Sequence, residues 1–110
     1  RPQRYTKEFI DAADSFSLSF LNNSFRKTLN YLGTVSGRDE DKIQKSGLTV
    51  EYCGNTPYFK EAQTVLLCKK LYHQEMSVDC FIDKSLIEKW YPGADYHTLY
   101  IVEIEKILVQ

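Results

Sequence analysis

The sequence predicts an antiparallel α+β domain or a helix-decorated barrel. Three observations carry this expectation. Ser15–Phe20 alternates strictly, with Phe16, Leu18 and Phe20 on one face and Ser15, Ser17 and Ser19 on the other, the period of a half-buried strand. Two further stretches are long, extended and apolar on both faces: one spans 61–75 and centres on Thr64-Val65-Leu66-Leu67-Cys68, and the other spans 97–109. Helical segments interrupt these strands irregularly, without the strict alternation that builds a parallel α/β sheet.

Taken in order, Arg1-Pro2-Gln3-Arg4 reads as a loop or strand end. Thr6 is placed to cap a short helix over 7–13, with Tyr5 and Ile10 as its hydrophobic staple. Beyond the alternating strand, Phe25, Leu29 and Leu32 recur at helical spacing and predict a helix over 24–35, which Ser36-Gly37-Arg38 breaks. Asp39 is then placed to cap a second short helix through Lys45, stopped by Gly47. Residues 49–52 read as a short strand and Gly54-Asn55-Thr56-Pro57 as a turn. After the long extended segment, Asp83 is placed to cap a helix holding Leu86, Ile87 and Trp90, with Ile82 and Ile87 as staple and Pro92-Gly93 as its end. Trp90 is expected in the core. So few strands cannot close a barrel, and an open edge must be covered or paired.

The chain has 110 residues, a length that fits one domain over 1–110 and allows a core without disulfides or metal. Apolar residues at 43% and charged residues at 26% exclude a disordered chain. Fourteen basic against fifteen acidic residues leave a net charge of −1, which argues against nucleic acid or a membrane surface as partner. The longest apolar run, 65–68, is far short of the roughly 20 residues a spanning helix needs. Cys53, Cys68 and Cys80 form no CxxC pair, and with His73 and His97 they give no zinc spacing. The expectation is three reduced thiols, two of them buried, in a cytoplasmic protein with no metal site.

No catalytic motif is present, and the catalytic residues are unknown at this level. Two segments carry anion chemistry. Arg1-Pro2-Gln3-Arg4-Tyr5-Thr6 places two guanidinium groups and a hydroxyl beside a helix N-terminus, where free N–H groups and the helix dipole favour phosphate. Ser36-Gly37-Arg38-Asp39-Glu40-Asp41-Lys42 is a glycine-containing turn leading into a helix with Lys42 in its first turn, a backbone nest with a cation. Judged alone, each reads first as a solvated turn, and the acids Asp39, Glu40 and Asp41 weaken the second. His97 reads first as a strand-boundary histidine satisfied by backbone.

Together these segments resemble a known family. Arg1-Pro2-Gln3-Arg4-Tyr5-Thr6-Lys7-Glu8-Phe9-Ile10 is similar to the RPxRYTxEFI stretch of the flavin reductase-like FMN-binding family, which includes flavoredoxins. Phe16-Ser17-Leu18-Ser19-Phe20, Gly33-Thr34-Val35-Ser36-Gly37-Arg38-Asp39, Asp41-Lys42-Ile43, Ser46-Gly47-Leu48-Thr49, Thr56-Pro57-Tyr58-Phe59, Trp90-Tyr91-Pro92 and Asp95-Tyr96-His97-Thr98-Leu99-Tyr100-Ile101 follow in the family's order. The resemblance implies a Greek-key split β-barrel that dimerises and binds FMN near the subunit interface. It nominates Arg4, Thr6, Ser36 and Lys42 for the phosphate end of FMN, Tyr5 and Gly37 beside them as cofactor-binding, and His97 more weakly for the pocket. It also implies oxidoreduction between a reduced nicotinamide (NADH or NADPH) or another donor and flavin or a downstream acceptor. The alternatives are a non-catalytic flavin-binding electron carrier and a truncated module that no longer binds flavin. Family members carry a longer portion ahead of the RPxRYT stretch, so 1–110 is expected to be the C-terminal part of such a domain. A homodimer or a separate N-terminal segment would then cover what the missing first strands leave open.

Overall fold

In the computed structural model, which describes residues 1–110, β4 (Thr64–Glu75) is the centre of the main sheet. β1 (Ser15–Phe20) and β5 (Thr98–Val109) pair with it antiparallel, one on each side. A separate hairpin joins β2 (Val50–Cys53) to β3 (Thr56–Phe59). Four short helices surround the strands: α1 (Tyr5–Ala12), α2 (Arg26–Thr34), α3 (Lys42–Ser46) and α4 (Ser85–Trp90). The antiparallel α+β class therefore stands, with the strands divided between two sheets.

The register arranges apolar side chains in rows across the sheet. Leu18 pairs with Leu66, which pairs with Ile107, and Phe20 pairs with Thr64, which pairs with Val109. Directly paired residues share a face. That face is open to solvent at its Phe20–Val109 end, where Phe20 is 53% and Val109 74% exposed, and closes at Cys68, which pairs with Phe16 and Ile104 and is buried. The other face carries Val65 and Leu67, which with Ala62 form the core against Cys53, Tyr58 and Leu108. Thus β1 alternates as its sequence requires, yet its serine face is the one the hairpin covers. Ser17 Oγ donates to the Pro57 carbonyl at 2.5 Å, and the Phe59 amide donates to Ser19 Oγ at 3.3 Å.

On β5, Leu99, Ile101, Ile104, Ile107 and Val109 are all exposed. Two register shifts in the β4–β5 pair leave Glu105 of β5 and Leu71 of β4 without partners across the pair, the behaviour of bulges. They let two twelve-residue strands bend around the small core.

Several local expectations need correction. Thr6 does not cap α1. Tyr5 is the first helical residue, Arg4 holds the cap position without a side-chain bond, and the Tyr5 ring meets Phe9 edge-on at 4.9 Å rather than stapling Ile10. Asp39 does not cap α3, because the turn opened by Ser36 absorbs it: its amide donates to the Ser36 carbonyl at 3.1 Å. Asp41 caps instead, its Oδ1 accepting from the Gln44 amide, and Gly47 ends the helix at φ 75° as expected. Thr56 and Pro57 belong to β3 rather than to a turn; the loop is Gly54-Asn55, with Gly54 at φ 59°. A four-residue strand with proline second hides its own signal.

Toward the C-terminal half, Ile82 is fully exposed and so staples nothing. Asp83 lies one residue ahead of the cap position, although its Oδ1 still accepts from the Ser85 amide at 3.0 Å. Trp90 is 54% exposed, because α4 is only six residues long and Tyr91, the residue after it, turns inward in its place. Of the cysteines, only Cys68 is buried; Cys53 is half-buried, and Cys80 is exposed on the 3-10 turn Val78–Cys80, beyond the exposed C-terminal end of β4.

Candidate functional site

Two chain reversals build one cavity. The segment from Gln3 to Thr6 enters α1, and the C-terminal end of α2 runs through Leu32–Val35 into the Ser36–Asp39 turn and on to Lys42. These pieces enclose about 590 Å³. Arg4, Tyr5, Thr6, Ser36, Gly37 and Lys42 all line it, drawn together from positions far apart in sequence.

Each lining group has a definite state. The amides of Tyr5 and Thr6 open α1 and have no intrahelical partner, so they are free donors at the positive end of the helix. Arg4 is exposed at the rim, and no other side chain engages its guanidinium. Ser36 Oγ accepts from the Arg38 amide at 3.1 Å, and its carbonyl accepts from the Asp39 amide, so the turn is held from within. Gly37 lies against the Tyr5 ring, leaving no room there for a side chain. Lys42 Nζ donates to the Leu32 carbonyl at 2.9 Å and the Val35 carbonyl at 3.0 Å, satisfying carbonyls at the end of α2 that lack helical partners. An ammonium has three donors, so one N–H remains for a ligand.

His97 is not part of this cavity. Its Nδ1 shares a hydrogen bond with the Tyr91 hydroxyl, and its carbonyl accepts from the Met76 amide at 2.9 Å. Partial burial, then the positive charge at Arg1, holds its imidazole below the ordinary value. It sits in an aromatic cluster with Phe81, Tyr91 and Tyr96.

Sequence reasoning missed Arg38 and Gln3, which also line the cavity. The signal for Arg38 was available: an arginine two positions after a turn serine, with a fork of donors and no need of its own in a solvated turn. A second cavity of about 610 Å³ shares Tyr5, Thr6, Leu32, Gly37 and Lys42 with the first and adds Phe9, Ile43 and Phe59 together with the carboxylates Glu40 and Asp41. A polar space carrying Arg4, Arg38 and Lys42 thus adjoins one that has an apolar wall and an acidic rim.

Antiparallel strands divided between two sheets, with helix ends gathered around one polar cavity, place the chain in the antiparallel α+β class, and the solved structures it resembles are split-barrel folds. The chain belongs to the flavin reductase-like family: the family described as "Flavin reductase like domain" matches residues 1–110. Among solved structures it is similar to the flavoredoxin of Desulfovibrio vulgaris (Miyazaki F), at 23% identity and a TM-score of 0.74, covering 100% of this chain and 50% of that one. It is similar also to a flavoredoxin from Methanosarcina acetivorans, at 25% identity and a TM-score of 0.73, covering 98% of this chain and 48% of that one. A structure from Shewanella frigidimarina described as having a split barrel domain matches at 22% identity and a TM-score of 0.71, covering 100% and 48% respectively. The chain therefore spans about half the length of the solved structures it matches. No curated protein matches it significantly. No helix is long and apolar enough to cross a membrane.

Proposed function

We propose that this chain is the FMN phosphate-binding part of a flavin reductase-like oxidoreductase, which passes electrons from a reduced nicotinamide or another donor to flavin or a downstream acceptor. One observation carries the reading: six residues nominated from the sequence line a single cavity, with donors there that nothing else in the chain uses. The residues fit the group. Arg4 supplies a free guanidinium fork, the Tyr5 and Thr6 amides and the Thr6 hydroxyl supply donors, and Lys42 supplies its remaining N–H. Ser36 and Gly37 shape the facing wall. The adjoining surface of Phe9, Ile43 and Phe59 offers apolar contact to whatever extends beyond the phosphate. When bound, FMN supplies the hydride- and electron-transfer chemistry; the chain binds and orients it. His97, engaged with Tyr91, takes no part at the phosphate end.

A second reading, a flavin-binding electron carrier, is favoured by the cavity's acid–base content: Asp39 is its only carboxylate, and it contains no histidine. Steady-state oxidation of NADH or NADPH with free FMN separates the readings, since a carrier shows no turnover. The phosphate assignment is tested by fluorescence titration of FMN and riboflavin against the wild type and Arg4→Ala. Loss of one charge-assisted hydrogen-bonded contact weakens FMN by about tenfold and leaves riboflavin unchanged. Equal losses for both flavins would remove the phosphate from this cavity.

The exposed apolar row of Leu18, Leu66 and Ile107 supports association, and we assign that face to a second copy of the chain. The three thiols and the lack of a spanning helix are compatible with a cytoplasmic setting, which forms part of the same reading.

A further inference from the structure

Arg38 touches both walls of the cavity. It rises from the Ser36–Asp39 turn, yet its guanidinium is spent on the opposite wall. Nη1 donates to the Gln3 carbonyl at 2.9 Å, Nη2 donates to Glu8 Oε1 at 3.0 Å, and the guanidinium carbon lies 4.8 Å from the centre of the Tyr5 ring. Gln3 and Tyr5 flank Arg4, and Glu8 lies in the first turn of α1. One side chain therefore spans from the glycine turn to the backbone, an aromatic face and a carboxylate of the helix entrance.

We propose that Arg38 is a positioning residue: it sets the distance between the α1 entrance and the Ser36–Asp39 turn, and so holds the phosphate site at its working width. The inference rests on the phosphate reading above and gives that site a residue that acts without touching the ligand. A guanidinium is required. Its planar fork serves two acceptors at once while its face stacks on Tyr5, which an ammonium cannot do. The ion pair with Glu8 is largely exposed and contributes little alone, so the span depends on the three contacts acting together. Gly37 completes the joint, since only a residue without a Cβ lets the turn approach the same ring from beside Arg38.

The test uses Arg38→Ala and Arg38→Lys in the intact protein, with two readouts. The first is hydrogen exchange of the amides of 36–39 in the ligand-free protein, which needs no flavin. The second is the dissociation constant for FMN and for riboflavin. Both variants should exchange faster at 36–39 and bind FMN about tenfold more weakly, with riboflavin unchanged, because loosening the site loses the equivalent of one good hydrogen bond. Wild-type FMN affinity in Arg38→Lys would overturn the proposal, since charge alone would then suffice. So would unchanged exchange in both variants. If the wild type itself fails to prefer FMN over riboflavin while exchange still rises in both variants, the wall-spacing role stands and the phosphate reading falls.

Discussion

Gly37 lies flat against Tyr5: a Cβ placed on the glycine would stand 3.1 Å from Cδ2 and 3.3 Å from Cε2 of the ring. The ring has little freedom to withdraw, with Phe9 edge-on at 4.9 Å and the Arg38 guanidinium over its face. The backbone at Gly37 is not left-handed, so the glycine is needed for space and not for φ. Gly37→Ala is therefore expected to destabilise the protein by about 1–3 kcal/mol, the usual cost of overpacking. In a Tyr5→Ala background the same change should become neutral, or stabilise by about 0.4–1 kcal/mol through the unfolded chain. Urea denaturation of the four proteins of this cycle measures it, and an equal loss in both backgrounds would refute the close contact.

Lys42 and Arg4 line the same cavity but should separate by assay. Lys42→Met leaves the Leu32 and Val35 carbonyls without their donor, and about 1–2 kcal/mol of stability should be lost. Arg4→Ala breaks no contact within the chain and should stay within about 0.5 kcal/mol of wild type. Both should weaken FMN. Thermal melts with and without FMN resolve the two contributions, and a stable Lys42→Met would contradict the capping role.

Tyr31 and Glu40 make the fold sensitive at both ends of the pH scale. The Tyr31 hydroxyl donates to Glu40, and Lys45 Nζ donates to the other carboxylate oxygen at 3.0 Å. These bonds, that of Tyr31 first, hold Glu40 below its ordinary value of 4.5, while the carboxylate pushes Tyr31 up to about 12 from 10.0. The Glu40 contribution is complete above its ordinary value and is lost as pH falls through the depressed one. The Tyr31 contribution is complete below pH 10.0 and is lost as pH rises through about 12. Tyr31→Phe should therefore lower Tm most between these limits and converge on wild type at both extremes. A constant difference across all pH values would sink the coupling.

The thiols should react in order of exposure. Cys80 is exposed, Cys53 half-buried and Cys68 buried, and burial also pushes the Cys68 thiol above its ordinary value. A disulfide reagent added to the native protein should modify Cys80 first, Cys53 slowly and Cys68 only after denaturation. Mass spectrometry of timed samples checks the order. Early labelling of Cys68 would mean that the sheet opens readily at its centre.

Ile107 is 56% exposed in the middle of the apolar sheet face. If a second copy covers that face, Ile107→Glu should shift the protein toward monomer, because the charge would lose its water at the interface. Its Tm as a monomer should hold, since Ile107 is outside the core. Sedimentation across a range of concentrations decides, and a wild type that stays monomeric throughout would refute the association.

The strands with strong period were legible in the sequence, and so were the two segments that meet at the cavity. Ser15–Phe20, Thr64–Glu75 and Thr98–Val109 follow closely from their patterns. What the pattern could not tell was which face of β1 is covered. Alternation is symmetric in that respect, and hydrophobicity pointed to the phenylalanine face, whereas the hairpin packs on the serines. The helix starts at Tyr5 and Lys42 were each misplaced by two residues, because local turns compete with capping for the same polar side chains. Arg38 was unreadable as a bridge, since its partners Gln3, Tyr5 and Glu8 come from another part of the chain. His97 and Lys42 were both nominated for the ligand site but lie in different neighbourhoods, and only the fold distinguishes them.

The hairpin β2–β3 is hung from β1 by serine hydroxyls and not by a backbone ladder. A ladder enforces register, and a slip of one residue turns every side chain to the other face. A hydroxyl on a rotating side chain enforces no such parity. Outside the cavity-lining segment 32–42, insertions and deletions between Leu21 and Thr49 therefore leave the hairpin free to re-seat, whereas the same change inside β4 would invert Val65, Leu67 and all that pairs with them. Over a family's history, length variation should collect on the hairpin side of this seam and be purged from the sheet side, which makes the seam the line along which such a domain can be lengthened, shortened or recombined.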